Sequence, residues 1–234
     1  PKKYLLIPIE EERGEVKMRL ETGSAADTWM DVRLAQLSTD YYVPLRLPEG
    51  EKAVVRFSEV SPQASAFRNF KLADEWNVKN TDYYRPLYHH TPSYGWMNDP
   101  NGLIEIDGTY HAFFQYTPEH PRRLVYWGHA TSTDLTRWDY HAPAILPDTH
   151  QDANGAYSGT AIEVGDHVEL WYTGNYKDPE TGEREATQCV VTTTDMVHFD
   201  KLVPPIIGRQ PKGYTAHFRD PQVWRDADGS YRML

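Results

Sequence analysis

Two aspartates draw attention because the residues around them recur. Asp99-Pro100, followed by Asp107-Gly108-Thr109-Tyr110, returns as Asp220-Pro221 followed by Asp228-Gly229-Ser230-Tyr231, at an offset of 121. Side chains that occupy one position of a repeated unit converge from separate units on a common point. Two carboxylates opposed across a small pocket suit glycoside hydrolysis, where they flank an oxocarbenium-like transition state. Taken singly, each motif has a plainer reading. Asn98-Asp99-Pro100-Asn101-Gly102 is made of turn formers, and Arg219-Asp220-Pro221 resembles a surface ion pair ahead of a turn. Their matched placing, beside Trp96 and Phe218, favours a site.

The elements that must carry these residues follow from a second match. Thr131-Ser132-Thr133-Asp134-Leu135-Thr136-Arg137-Trp138-Asp139 parallels Thr192-Thr193-Thr194-Asp195-Met196-Val197-His198-Phe199-Asp200 at an offset of 61, about half of 121. A unit of about sixty residues, built of strands and tight turns, predicts the four-stranded blades of a β-propeller over residues 85–234. The Asp-Gly and Gly-Asp pairs form hairpins between the first two strands of each blade. Asp99, Ser158 and Asp220 are then equivalent positions on the strands nearest the axis. A propeller closes with four blades or more, so the chain is expected to continue beyond Leu234. Residues 1–80 predict a small antiparallel β-sandwich, with strands near 4–7, 16–20, 29–34, 42–45, 53–57 and 68–72. Turns at 21–24 and 48–50 separate some of them, and 73–84 reads as a linker. The fold class is thus all-β, a sandwich followed by the first two to three blades.

Composition narrows the partners. The net charge of −10 disfavours nucleic acid and anionic lipid, and no apolar run is long enough to span a membrane. The 13% aromatic content suits both strand packing and sugar faces. The single cysteine, Cys189, excludes an intrachain disulfide and reads as a core residue. No cofactor or metal is expected. His89 and His90 would point to opposite faces of a strand, and His111, His129 and His217 are far apart in sequence. The oligomeric state is left open.

Trp96-Met97-Asn98-Asp99-Pro100-Asn101-Gly102 resembles the signature of glycoside hydrolase family 32, the invertases, inulinases, levanases and fructan exohydrolases. Phe114-Gln115-Tyr116, Trp127-Gly128-His129, Tyr157-Ser158-Gly159 and Phe218-Arg219-Asp220-Pro221 follow in family order. The stretch before them resembles an extra N-terminal domain of Bacteroidetes fructan hydrolases. The resemblance implies a five-bladed propeller, Asp99 as the nucleophile and Asp220 as the group that holds the sugar hydroxyls in the transition state. It implies substrate contacts from Asn98, Gln115, Trp127, Ser158 and Arg219. Arg219 is expected to keep both aspartates ionised, and Trp127 to wall the pocket. The substrate would be a fructan or sucrose, the location extracellular or periplasmic. The family's acid/base glutamate, in a Glu-Cys motif, is not matched by Glu105, Glu163 or Glu169, so the 234 residues alone are expected to be inactive. The alternative is a carbohydrate-binding protein without catalysis.

Overall fold

The computed structural model describes residues 2–21, 29–47, 52–75, 86, 89–92, 95–117 and 125–234. Of the predicted turn at 21–24 and linker at 73–84, Glu21 ends a strand and Ala73 ends another, while residues 22–24 and 76–84, with the turn at 48–50, lie outside the described residues. The N-terminal part contains β1 (Tyr4–Ile9), β2 (Val16–Glu21), β3 (Trp29–Val32), β4 (Tyr41–Arg46), β5 (Val54–Phe57), a one-turn helix α1 (Ala66–Asn69) and β6 (Lys71–Ala73). They form two three-stranded antiparallel sheets, ordered β4-β1-β6 and β3-β2-β5. Ile7, Ile9, Val43 and Leu45 from the first sheet share a core with Met18 and Val32 from the second. The strand expected at 68–72 is shifted, because Arg68 and Asn69 belong to α1.

One charged group closes the turn after β1. Glu10 is buried and accepts the backbone N–H groups of Gln36 and Leu37 and the Arg13 Nε–H. Burial alone would raise its pKa, but these donors outweigh it and hold the carboxyl at about 2.

From residue 96 the chain makes two successive four-stranded antiparallel sheets. Blade 1 is β7 (Trp96–Ile106), β8 (Thr109–Thr117), β9 (Tyr126–Ser132) and β10 (Asp139–Tyr140). Blade 2 is β11 (Ala156–Val164), β12 (His167–Lys177), β13 (Arg184–Thr193) and β14 (Asp200–Lys201). The pair β15 (Val223–Arg225) and β16 (Tyr231–Met233) begins a third. The first strands lie side by side, β7 against β11 and β11 against β15, as innermost strands of neighbouring propeller blades do.

The middle strands of blade 1 are buried on both faces, and alternation along them separates two cores. Phe114 and Tyr126 belong to the same apolar cluster as the N-terminal sheets. Their neighbours Phe113 and Trp127 pack with Leu170, Tyr172 and Val191 of blade 2. The matched segments at an offset of 61 prove to be the same turn built twice. In each, a hydroxyl, Ser132 or Thr193, accepts the N–H groups two and three residues on, while Asp134 or Asp195 caps the next two. Leu135 (φ 60°) and Met196 (φ 57°) take the same left-handed conformation.

Candidate active site

The three positions aligned by the repeat reach one cavity through two local devices. In β7 the ladder pairs Met97 with Tyr116 and resumes at Pro100 with Phe114, so one extra residue is inserted around Asn98-Asp99. In β11 it pairs Ala156 with Gly174 and resumes at Gly159 with Tyr172, inserting one extra residue around Tyr157-Ser158. These equivalent β-bulges re-aim the side chains at the inner end of each blade. Gly159 is required by the second, since a Cβ there would sit 1.9 Å from the Trp171 carbonyl oxygen. Asp220 reaches the same place from a loop, in a left-handed conformation (φ 62°) that Asp tolerates better than most residues.

The cavity has a volume of about 460 Å³, within the usual range of small-molecule sites. Asn98, Asp99, Gln115, Ser158, Arg219 and Asp220 all line it. So do Trp96, Thr117, Val125 and Tyr157, of which the last three went unnoticed as individual site residues. Tyr157 stood in the Tyr157-Ser158-Gly159 motif without a role of its own, and no sequence signal marked Thr117 or Val125. Trp127 does not line the cavity. It is fully buried behind it, and its Nε1–H donates to the Tyr157 carbonyl at 2.9 Å. The ring lies under Gly102 (φ 53°), where a Cβ would come within 2.7 Å of Trp127 Cζ3.

A directed chain of hydrogen bonds ends on the first carboxylate. Asn101 Nδ2 donates to Ser158 Oγ at 3.4 Å, and Ser158 Oγ donates to Asp99 Oδ2 at 3.0 Å. Gln115 is largely buried, with Nε2 donating to the Ala156 carbonyl at 2.9 Å. The Asp220 carboxylate lies 3.6 Å from Arg219 Nε, and the guanidinium rests 5.9 Å from the Tyr157 ring centroid, a cation–π distance.

Arg219 acts on Asp220 in the expected direction but is not the dominant influence. Burial raises its pKa, Arg219 lowers it, and the Asp99 charge raises it, with a net upward shift. Arg219 is half exposed, so water screens it, and it does not offset the desolvation of its neighbour. Asp99 and Asp220 line the same cavity, so each carboxylate lies in the field of the other.

Other expected residues fall elsewhere. Glu105 and Glu163 are exposed, and Glu169 binds the Trp171 indole N–H; none of the three lines the cavity. Cys189 is buried in the blade 2 core. His111 and His129, distant in sequence, meet on adjacent strands with ring nitrogens 3.0 Å apart. Among the described residues no group of three or more His, Cys, Asp or Glu is arranged to hold a metal ion. The cavity therefore offers two carboxylates, amide and hydroxyl hydrogen-bonding groups, one guanidinium and an aromatic rim, a set suited to a polyhydroxylated ring.

Comparison with known proteins agrees with this chemistry. Residues 89–234 match the profile of the glycosyl hydrolases family 32 N-terminal domain. Residues 1–88 match a domain of unknown function (DUF4980). The chain is 40% identical over 158 residues to the sucrose-6-phosphate hydrolase of Bacillus subtilis (strain 168), covering 67% of this chain and 32% of that protein. Among solved structures, it superposes on sucrose-6-phosphate hydrolase from Lactobacillus gasseri with a TM-score of 0.61 and 39% identity, covering 66% of this chain and 31% of that one. It superposes on fructan 1-exohydrolase IIa from Cichorium intybus with a TM-score of 0.57 and 34% identity, covering 64% and 29%. The chain spans about a third of the length of the curated relatives it matches.

Proposed function

The chain belongs to glycoside hydrolase family 32, and from that premise we propose that the intact protein hydrolyses terminal β-fructofuranosyl bonds with retention of configuration. The observation that carries this reading is the shared cavity of Asp99 and Asp220, with Ser158 between their blades. In this reading Asp99 attacks the anomeric C2 of the fructosyl unit. The C2–O bond to the leaving alcohol breaks, and that oxygen takes a proton from a general acid. The fructosyl ester on Asp99 is then hydrolysed by water, which returns the carboxylate.

Asp220 holds sugar hydroxyls, and its interaction strengthens as positive charge develops on the ring. Asn98, Gln115 and Ser158 supply further hydrogen bonds, Arg219 steadies the Asp220 carboxylate, and Trp96 and Tyr157 give apolar walls. Trp127 acts from behind the cavity, through Tyr157. Sucrose and fructans such as inulin or levan are the proposed substrates, in keeping with relatives that act on sucrose 6-phosphate and fructan.

The test is fructose release from sucrose and inulin by the intact protein and its Asp99→Asn variant. The variant is expected to lose at least about 10³-fold in kcat. Undiminished turnover would remove Asp99 from the mechanism. Fructan binding without hydrolysis by the unaltered protein would favour the carbohydrate-binding alternative.

A further inference from the structure

Asp220 is the one site carboxylate held by neither a strand ladder nor a hydrogen bond to Ser158, yet its loop is fixed at three successive points, all from blade 2. Thr173 Oγ1 accepts the Asp220 backbone N–H at 3.0 Å. Gln188 Nε2 donates to the Phe218 carbonyl at 3.0 Å. Thr160 Oγ1 donates to the Pro221 carbonyl at 2.7 Å. Thr173 and Gln188 are direct cross-strand partners on β12 and β13. Both are buried, 1% and 2% exposed. Thr173 Oγ1 donates to Gln188 Oε1 at 2.9 Å.

That last bond sets the direction of the other two. With its proton committed to Gln188, the threonine hydroxyl presents a lone pair to Asp220 N–H. With its oxygen committed to Thr173, the glutamine must turn its amino group toward Phe218. No alternative donor pattern satisfies all four groups, so the pair acts as one rigid clamp on the loop. A related arrangement, in which both members donate to carbonyls, occurs one blade earlier. Gln115 and Trp127 are direct cross-strand partners on β8 and β9, and they hold the carbonyls of Ala156 and Tyr157 immediately before Ser158. Each blade thus uses a buried pair on its two middle strands to hold the backbone that carries the next blade's axial side chain.

We propose that Thr173 and Gln188 are positioning residues for Asp220, the blade 2 counterpart of the Gln115–Trp127 pair that positions Ser158. This rests on the reading of Asp220 as a group that stabilises the transition state. The clamp holds a left-handed backbone in place, and a carboxylate displaced by about 1 Å from sugar hydroxyls can lose two orders of magnitude in rate.

The experiment measures kcat and KM on sucrose for the intact protein and its variants. Thr173→Val is expected to lower kcat/KM about 10- to 100-fold, and Thr173→Ser, which keeps the hydroxyl, to restore it to within about threefold. Gln188→Met, which conserves volume without the hydrogen bonds, is expected to show a similar loss and stands in if Thr173→Val does not fold. On an Asp220→Asn background, Thr173→Val is expected to cost less than about twofold more, because the interaction it serves is already gone. Thr187→Val is the control. It removes a hydroxyl bonded to the Gly174 carbonyl on the same strands, away from Phe218–Pro221, and is expected to leave kcat/KM intact. Full activity in both Thr173→Val and Gln188→Met, or an equal loss with and without Asp220→Asn, overturns the clamp. Full activity in Asp220→Asn overturns instead the reading of Asp220 on which the clamp depends.

Discussion

Asp220 combines two costs that fold stability alone would not select. Its backbone lies in the left-handed region, and its carboxyl pKa is raised by burial and by Asp99. A group whose folded pKa lies above its unfolded value favours the folded state fully below the unfolded pKa. That contribution is lost as pH rises through the folded pKa. At neutral pH the Asp220 charge therefore opposes folding. Asp220→Asn keeps a residue that tolerates the left-handed region and removes the charge. It is expected to raise Tm at pH 7 while abolishing most activity, with the Tm advantage shrinking as pH falls through the carboxylate range. Calorimetry of both proteins from pH 7 to 3 checks this, and an Asp220→Asn protein less stable at pH 7 would contradict it. Ser158→Ala removes a hydrogen bond to the Asp99 carboxylate and is expected to lower kcat/KM about 10- to 100-fold, measured on sucrose. The pairing of Asp99 with Asp220 was legible in the sequence because both lie in repeats of one period. The burial of Trp127 was not, because a motif fixes a residue's neighbours in the chain and leaves open the face of the strand it occupies.

At the scale of elements, the repeat signal proved to be a turn signal. The strongest match is the hydroxyl–Asp turn at Ser132–Arg137 and Thr193–His198, which does no chemistry but recurs because each blade must make the same corner. The β-bulges that aim Asp99 and Ser158 left no such mark, since a one-residue slip in pairing depends on two strands and alternation reports only one. Gly159 is the trace they do leave. Gly159→Ala puts a Cβ against the Trp171 carbonyl and is expected to cost at least about 2 kcal/mol, measured by urea denaturation. A second element-level dependency is the ion cluster beneath blade 2. Lys201 on β14 pairs with Asp148 at 2.5 Å and with the fully buried Asp152 at 2.6 Å, tying the segment between the blades to the outer strand. Lys201→Met leaves those carboxylates uncompensated and is expected to cost about 3–5 kcal/mol, read from the same denaturation curves.

For the molecule as a whole, loss of stability on acidification is expected to begin with buried histidines and to continue, at lower pH, with carboxylates held below their usual range such as Glu10. His129 is buried against His111 and His141, and burial lowers the pKa of all three below 6.5, most of all for His129. His90, stacked on Tyr140 and tilted against Trp138, is lowered for the same reason. A depressed imidazole pKa contributes stability above the unfolded value, and that stability is lost as pH falls from about 6.5. His129→Phe places an aromatic ring between Phe113 and Phe199 and is expected to flatten the Tm profile between pH 6.5 and 5. An unchanged slope would show that acid unfolding starts elsewhere. This cluster was invisible in the sequence because β8 and β9 are joined by a connection whose length says nothing about their register.

The pairs Gln115–Trp127 and Thr173–Gln188 have a consequence for engineering. Ser158 and Asp220 are each located by the blade that precedes them in the chain, so a blade lifted from one protein into another brings its own axial side chain but leaves behind the hands that hold it. Grafts cut after the two middle strands of the donor's preceding blade would lose geometry, and grafts that begin one blade earlier would keep it. The natural module for exchange is thus a half-overlapping unit, out of phase with the sheets that the eye divides the structure into.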